Sequence, residues 1–378
     1  MINNYKYKII IFSICFFIIS IILNGCSAFI KPSNGSLYIN STPAGARIYL
    51  NNEFSGEITP SFISDLVPGN YNLRLTLEDS SLVYEDSIVV VSNETVSIHI
   101  EFSIPAKYRA LCIGVDDYKD PGISDLRAPS YDIARMVQVL ENSNFGEQDN
   151  GFTNIDTLIG KQATKENIFN AINLSFAGAN EDDVSYFYFS GHGYSDGQTS
   201  TLLPHDALAK NASMDISAEQ LASALSNIAG TKVVLLDSCF SGGFIGKDIF
   251  SERFFIKSMK EEEYINNILN VFILQDQAIT RKNLATGSFQ VLVSATGDQE
   301  CWETLYHPVD GNPYGYFSAA LSQGCGYNDF IFPFPADIDK DRRITIEETY
   351  QYIKNTLKYL SQDVQVYPEN SKYSFIEY

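Results

Sequence analysis

Tyr186-Phe187-Tyr188-Phe189-Ser190-Gly191-His192-Gly193 and Lys232-Val233-Val234-Leu235-Leu236-Asp237-Ser238-Cys239-Phe240-Ser241-Gly242-Gly243 decide how the chain reads. Each is a run of aromatic or aliphatic residues closed by glycine. Such a run is a buried strand that feeds a tight loop. A histidine leaves the first strand and a cysteine leaves the second. An imidazole beside a thiol favours the thiolate and can later protonate a leaving amine. The pair His192 and Cys239 therefore points to nucleophilic catalysis by sulfur. Gly193 has no Cβ, so its N–H can approach a developing oxyanion together with the N–H of Cys239.

Around these two strands, apolar runs alternate with helical patterns. Arg109–Val115, Ile155–Ile159 and Phe289–Ala295 read as further strands. Ile133, Met136, Val137 and Leu140 share a helical face, with Ser130 as the expected cap. Thr164 to Phe176 reads as a helix. Ser217-Ala218-Glu219-Gln220 is a capping box for a helix reaching Ile228. The expected fold is α/β, a mostly parallel sheet flanked by helices over 107–378. Ligands of such sheets bind beyond the carboxyl ends of the strands, where His192 and Cys239 stand. Cys112, inside a strand, reads as a core residue.

Upstream, over 36–104, the period changes to two. Leu37/Ile39, Ile48/Leu50, Leu73/Leu75/Leu77, Ile88/Val90 and Val96/Ile98/Ile100/Phe102 alternate with polar neighbours between turn residues. This predicts a small antiparallel β-sandwich. His99 falls on its polar phase and has no second ligand nearby. Ile104-Pro105-Ala106-Lys107 reads as the linker.

The first 25 residues read as an export signal. Lys6 and Lys8 precede an apolar run from Ile9 to Leu23. Leu23-Asn24-Gly25-Cys26 resembles the bacterial lipobox, which implies cleavage before Cys26 and lipid on its sulfur. Residues 26–35 are then a tether, and the remainder is exported and held at the outer face of a membrane. The formal net charge of −20 disfavours a nucleic-acid partner. Cys112, Cys301 and Cys325 remain, an odd number that gives no disulfide framework.

These patterns resemble those of two families. Ser190-Gly191-His192-Gly193 and Asp237-Ser238-Cys239-Phe240-Ser241-Gly242 resemble the histidine and cysteine motifs of caspase-like cysteine peptidases, on their metacaspase and bacterial side. The 47 positions between His192 and Cys239 are close to the spacing of about 50 known for caspases. Ser41-Thr42-Pro43-Ala44-Gly45-Ala46, Gly56, Thr59-Pro60 and Pro68-Gly69-Asn70-Tyr71 resemble the PEGA domain. The first resemblance implies that Asp237 and Ser190 line the specificity pocket with Asp132 from the first helix. Strand alternation independently turns Ser190 and Asp237 to the sides of His192 and Cys239. Two carboxylates in a cleft favour Arg or Lys before the cut bond.

The expected activity is a cysteine endopeptidase acting on proteins or peptides, with no cofactor required. A legumain-like peptidase cutting after Asn or Asp is the alternative within the clan. An inactive surface-binding lipoprotein is the alternative outside catalysis. His205 is a competing base, and Asp206 reads as a loop brace. Within the insertion 247–287, Arg281-Lys282 is a candidate self-cleavage site. Trp302 reads either as a subsite wall or as core. Asp337, Asp339, Asp341 and Glu348 take positions 1, 3, 5 and 12 of an EF-hand-like loop, a candidate Ca2+ site. Arg342 replaces the glycine of that loop. Thr345-Ile346-Glu347-Glu348 is at the same time a capping box.

Overall fold

A computed structural model of the chain describes residues 33–77, 82–102, 105–145, 151–195, 199–238, 267–281, 289–295, 299, 301–306, 310–327, 332–360 and 362–378. The export segment, Cys26 and Cys239 lie outside the described residues. The chain divides into two compact units, 1–105 and 106–378.

Among the described residues, the first unit holds seven strands: β1 (Gly35–Thr42), β2 (Arg47–Leu50), β3 (Glu53–Ile58), β4 (Ser61–Leu66), β5 (Gly69–Thr76), β6 (Val83–Val90) and β7 (Thr95–Glu101). They form two sheets, ordered β4-β1-β7 and β3-β2-β5-β6. Alternate residues Leu37, Ile39, Ile48, Leu73, Leu75 and Ile100 make the shared core. One expectation is corrected: the sandwich is not wholly antiparallel, because β1 and β7 run parallel from Ser36↔Thr95 to Thr42↔Glu101. The first and last strands of the unit meet, and no short-range pattern announces that pairing. The Ser41–Ala46 turn is clasped by Thr59, whose hydroxyl accepts from Ala46 N–H at 3.0 Å and shares a 2.5 Å bond with Ser41 Oγ.

The second unit begins with β8 (Tyr108–Gly114), α1 (Pro129–Glu141), β9 (Phe152–Ile159), α2 (Lys165–Ser175) and β10 (Val184–Ser190). Next come β11 (Gly193–Ser195), β12 (Ser200–Leu202), β13 (Ile216–Ser217), α3 (Ala218–Ser226) and β14 (Thr231–Asp237). Then follow α4 (Asn267–Arg281), β15 (Phe289–Val293), β16 (Glu303–Thr304), β17 (Tyr314–Gly315) and α5 (Tyr316–Gly324). The last elements are β18 (Arg343–Thr345), α6 (Ile346–Leu357), β19 (Gln365–Tyr367) and β20 (Ser374–Glu377).

The main sheet has the order β19-β15-β14-β10-β8-β9. Its pairs are parallel, except that β19 runs antiparallel to β15. Successive residues of β10 face opposite layers. Phe187 and Phe189 pack with Ile168, Ile172, Leu221 and Phe272, the α2–α4 layer. Tyr186 and Tyr188 pack with Ile133, Met136, Phe317 and Ile353, the α1, α5 and α6 layer. A strand buried on both faces reads as a continuous apolar run, which is why the opening stretch carries so much information. Each aromatic side chain so buried contributes about 2 kcal/mol.

The chain leaves β8 for β9 on one side and returns to β10 on the other. That reversal opens a crevice at the carboxyl ends of β8 and β10. Helix α1 starts earlier than expected. Its N-cap is Ala128, with Pro129 just inside, and no side chain caps it. Proline suits the first helical position because it lacks the N–H that would go unpaired. Ser130 bonds Asp116 instead. Helix α3 ends at Ser226, with Asn227 as its C-cap, and carries the expected Ser217/Gln220 capping box.

Candidate active site

Strands β10 and β14 pair in register, so Ser190 lies beside Asp237. The chain then turns, and His192 follows two residues beyond β10. Its backbone N–H donates to Tyr118 Oη at 2.8 Å, and the two rings lie 5.0 Å apart. Nε2 lies 2.9 Å from the carbonyl oxygen of Ser124. A carbonyl only accepts, so Nε2 carries the proton and Nδ1 is left with its lone pair. Burial lowers the imidazole pKa, opposed by the Ser124 carbonyl and the charge of Asp125. Gly193 is buried and opens β11, opposite Leu202.

A cavity of about 50 Å³ lies beside His192. Asp132, Ser190, Asp237, Ser238, Trp302, Glu303 and Gly315 contribute to its lining. The three residues expected from sequence to make a pocket are therefore brought together. Asp132 comes from the first turn of α1, while Ser190 and Asp237 end their strands on the α1/α5 face. Ser190 Oγ donates to Asp132 Oδ2 at 3.1 Å. Ser318, in the first turn of α5, donates its N–H to Asp237 Oδ2 at 3.2 Å and its hydroxyl to the same oxygen. The Gly315 N–H donates to both oxygens of Asp132, at 3.1 and 3.3 Å.

Both carboxyls are buried, and their pKa values rise. Burial pushes Asp237 up to about 6, with Glu303 adding to the shift and Ser318 and Ser294 opposing it. Burial and the neighbouring Asp237 push Asp132 well above the carboxylate range, against the pull of Gly315, Arg135 and Ser190. Arg135, itself 1% exposed, donates to Asp132 Oδ1 at 3.2 Å. The same guanidinium holds Asp310 through two nitrogens, at 2.9 and 3.0 Å. Two like charges held close favour retention of a proton.

Trp302 is 42% exposed, which makes it a wall of the cavity and not core. Glu303 accepts from the N–H groups of Arg127 and Ala128 at the start of α1. Sequence reasoning missed Tyr118, Ser124, Arg135, Glu303, Gly315 and Ser318. Arg135 had a readable signal, since it sits three residues after Asp132 on the apolar face of its helix.

The remaining sequence candidates lie elsewhere. His205 Nδ1 is 2.6 Å from the Asp117 carbonyl and lines a separate cleft of about 590 Å³ with Asp117, Lys161 and Asp206. Asp206 accepts from the Lys165 N–H at the start of α2, a loop brace. Arg281 is the last residue of α4, and Lys282 lies outside the described residues. Cys112 is wholly buried.

Asp337, Asp339 and Asp341 bring carboxylate oxygens within 4.8 Å of one another. Arg342, in the glycine position of the loop, has φ 70°. The fit to a calcium ion is partial. Glu348 has both oxygens engaged, one with the N–H of Ile338 and one with Thr345 in the capping box.

Comparison with known proteins places these features. The caspase domain family matches residues 107–369, and the PEGA domain family matches 34–104. The chain belongs to the caspase domain family of cysteine peptidases. No curated protein matches it. Among solved structures, it is similar to a protein from Geobacter sulfurreducens, at 16% identity and TM-score 0.44, over 69% of this chain and 92% of that one. It is also similar to caspase-1 from Spodoptera frugiperda, at 11% identity and TM-score 0.39, over 67% and 77% of the two chains. The pro form of the Spodoptera enzyme gives 11% identity and TM-score 0.36, over 68% and 82%.

Proposed function

We propose that the chain is an exported, lipid-anchored cysteine endopeptidase that cuts proteins or peptides after Arg or Lys. The observation that carries this reading is the imidazole of His192. It is pinned through Nε2 to the Ser124 carbonyl and stands beside a cavity holding two buried carboxylates. Ser238, the neighbour of Cys239, lines the same cavity.

In this mechanism His192 Nδ1 takes the proton of the Cys239 thiol. The thiolate attacks the carbonyl carbon, and the N–H groups of Gly193 and Cys239 hold the oxyanion, at about 3 kcal/mol for each donor. The imidazolium then protonates the leaving amine. Water, activated by the neutral imidazole, hydrolyses the thioester and frees Cys239. Asp237 and Asp132 receive the cationic side chain, with Ser190 orienting Asp132. Charge-assisted hydrogen bonds to carboxylates are the strong ones.

No step uses calcium. The anchor is lipid on Cys26, and the sequence of the first 26 residues supports export. Among the described residues, no helix is long and apolar enough to cross a membrane. A fluorogenic peptide panel ending in Arg, Lys, Asn or Asp tests the reading, with Cys239→Ala as control. Hydrolysis after Arg or Lys that the control lacks is expected. Turnover confined to Asn or Asp would replace the basic reading with the legumain-like one. An intact thiol with no turnover would leave a binding protein.

A further inference from the structure

Gly315 lies between the two pocket carboxylates. It is the last residue of β17, faces Glu303 of β16 and is the N-cap of α5. Its φ of −77° and ψ of 137° are ordinary extended values that any residue adopts. The backbone therefore gives no reason for glycine here.

The surroundings do. A Cβ at this position would lie 2.6 Å from Asp237 Oδ2 and 3.1 Å from Asp132 Oδ2. Both distances are below van der Waals contact. Neither carboxylate can yield freely. Asp237 is held by the N–H and hydroxyl of Ser318. Asp132 is held by Arg135, Ser190 and the Gly315 N–H itself. The oxygens of both acids converge over the Gly315 Cα, and all three residues line the cavity beside His192.

We propose that Gly315 is a specificity-determining residue. Its missing side chain lets the carboxylates of Asp132 and Asp237 draw together over its Cα, so that one cationic side chain can reach both. The inference rests on the reading of the chain as a peptidase for basic residues. A methyl group there turns one carboxylate away from the other. The loss falls on recognition of the basic side chain. The Cys239 thiol and the His192 imidazole keep their reactivity.

The test compares the full chain with Gly315→Ala on a peptide ending in Arg, alongside alkylation of Cys239 by iodoacetamide, which needs no pocket. The expected result is a fall in kcat/KM of about a hundredfold, carried mainly by KM, with alkylation within twofold of wild type. Retention of kcat/KM within threefold overturns the inference while leaving the peptidase reading intact. A wild-type chain that ignores basic peptides overturns both. If Gly315→Ala is unstable, Gly315→Ala/Asp237→Ala recovers the melting temperature, because a carboxylate is what the methyl meets. A double variant no more stable than the single one assigns Gly315 to the fold and overturns the inference.

Discussion

Ser190 and Asp237 are the last residues of two neighbouring parallel strands and stand side by side in their register. Both belong to the sheet face covered by α1 and α5. That placement brings a hydroxyl and a carboxylate against Asp132 without any long-range signal in the sequence. It also confines acid groups to a buried space, and their titration becomes a property of the fold.

Asp237 shows this most directly. Its folded pKa of about 6 lies above its ordinary 3.8, so the folded chain holds this proton longer than the unfolded one. The stability it contributes is fully present below pH 3.8 and is lost as pH rises through 6. At about 1.4 kcal/mol per pKa unit, the loss is about 3 kcal/mol at most. Asp237→Asn is expected to flatten the stability profile between pH 4 and 6 and to be more stable than wild type at pH 8. Denaturant titrations across that range check it. An unchanged slope would show that Asp237 is ionised throughout.

The imidazole of His192 is expected to titrate below the ordinary 6.5, because burial outweighs Ser124 and Asp125. NMR of the ring nuclei in Cys239→Ala reads this without the thiolate. Asp125→Asn removes a negative charge and should move the midpoint further down. A midpoint at or above 6.5 would contradict the burial argument.

Ser238 Oγ is buried and has no hydrogen-bond partner among the described residues. An unpaired buried hydroxyl adds desolvation cost without return. Ser238→Ala should therefore leave stability unchanged or raise it by up to about 1 kcal/mol. Thermal unfolding decides, and a loss of more than that would reveal a bonded water or ligand.

Asp337 accepts from the N–H groups of Lys340 and Arg342 and from the Tyr378 hydroxyl. It organises its loop through these bonds. Asp337→Ala is expected to cost about 2 kcal/mol, in EDTA as in calcium. Chelation should leave hydrolysis of an Arg peptide unchanged. Calcium that raises the melting temperature of wild type, but not of Asp339→Asn, would identify the loop as a binding site.

The strands of the caspase-like sheet were legible because burial on both faces forces continuous apolar runs, as in β10 and β14. The capping boxes at Ser217 and Thr345 were legible because their chemistry is local. Strands β3 and β4 were not. Phe54, Ile58 and Phe62 are each more than half exposed, so no buried alternation marks these strands. The start of α1 was misread by favouring Ser130 over the constraint of Pro129. The pocket was half legible. Asp132, Ser190 and Asp237 came from motifs. Gly315, Ser318 and Asp310 lie far along the chain in segments without a motif, and only the packing of α5 against α1 brings them in. Their relevance is spatial, and the same holds for the carbonyl of Ser124, which any residue could supply.

The antiparallel strand β19 has a consequence for how the molecule meets its own copies. Without it, β15 would offer a row of unpaired peptide groups, a template for adding a foreign strand. Residues Gln365 to Tyr367 occupy that row. The new border they create is three residues long and is followed by Pro368, which has no N–H to donate. That margin of the sheet is thus shortened by a segment that follows the pocket-forming elements in the chain. Loss of that segment would expose a sticky margin.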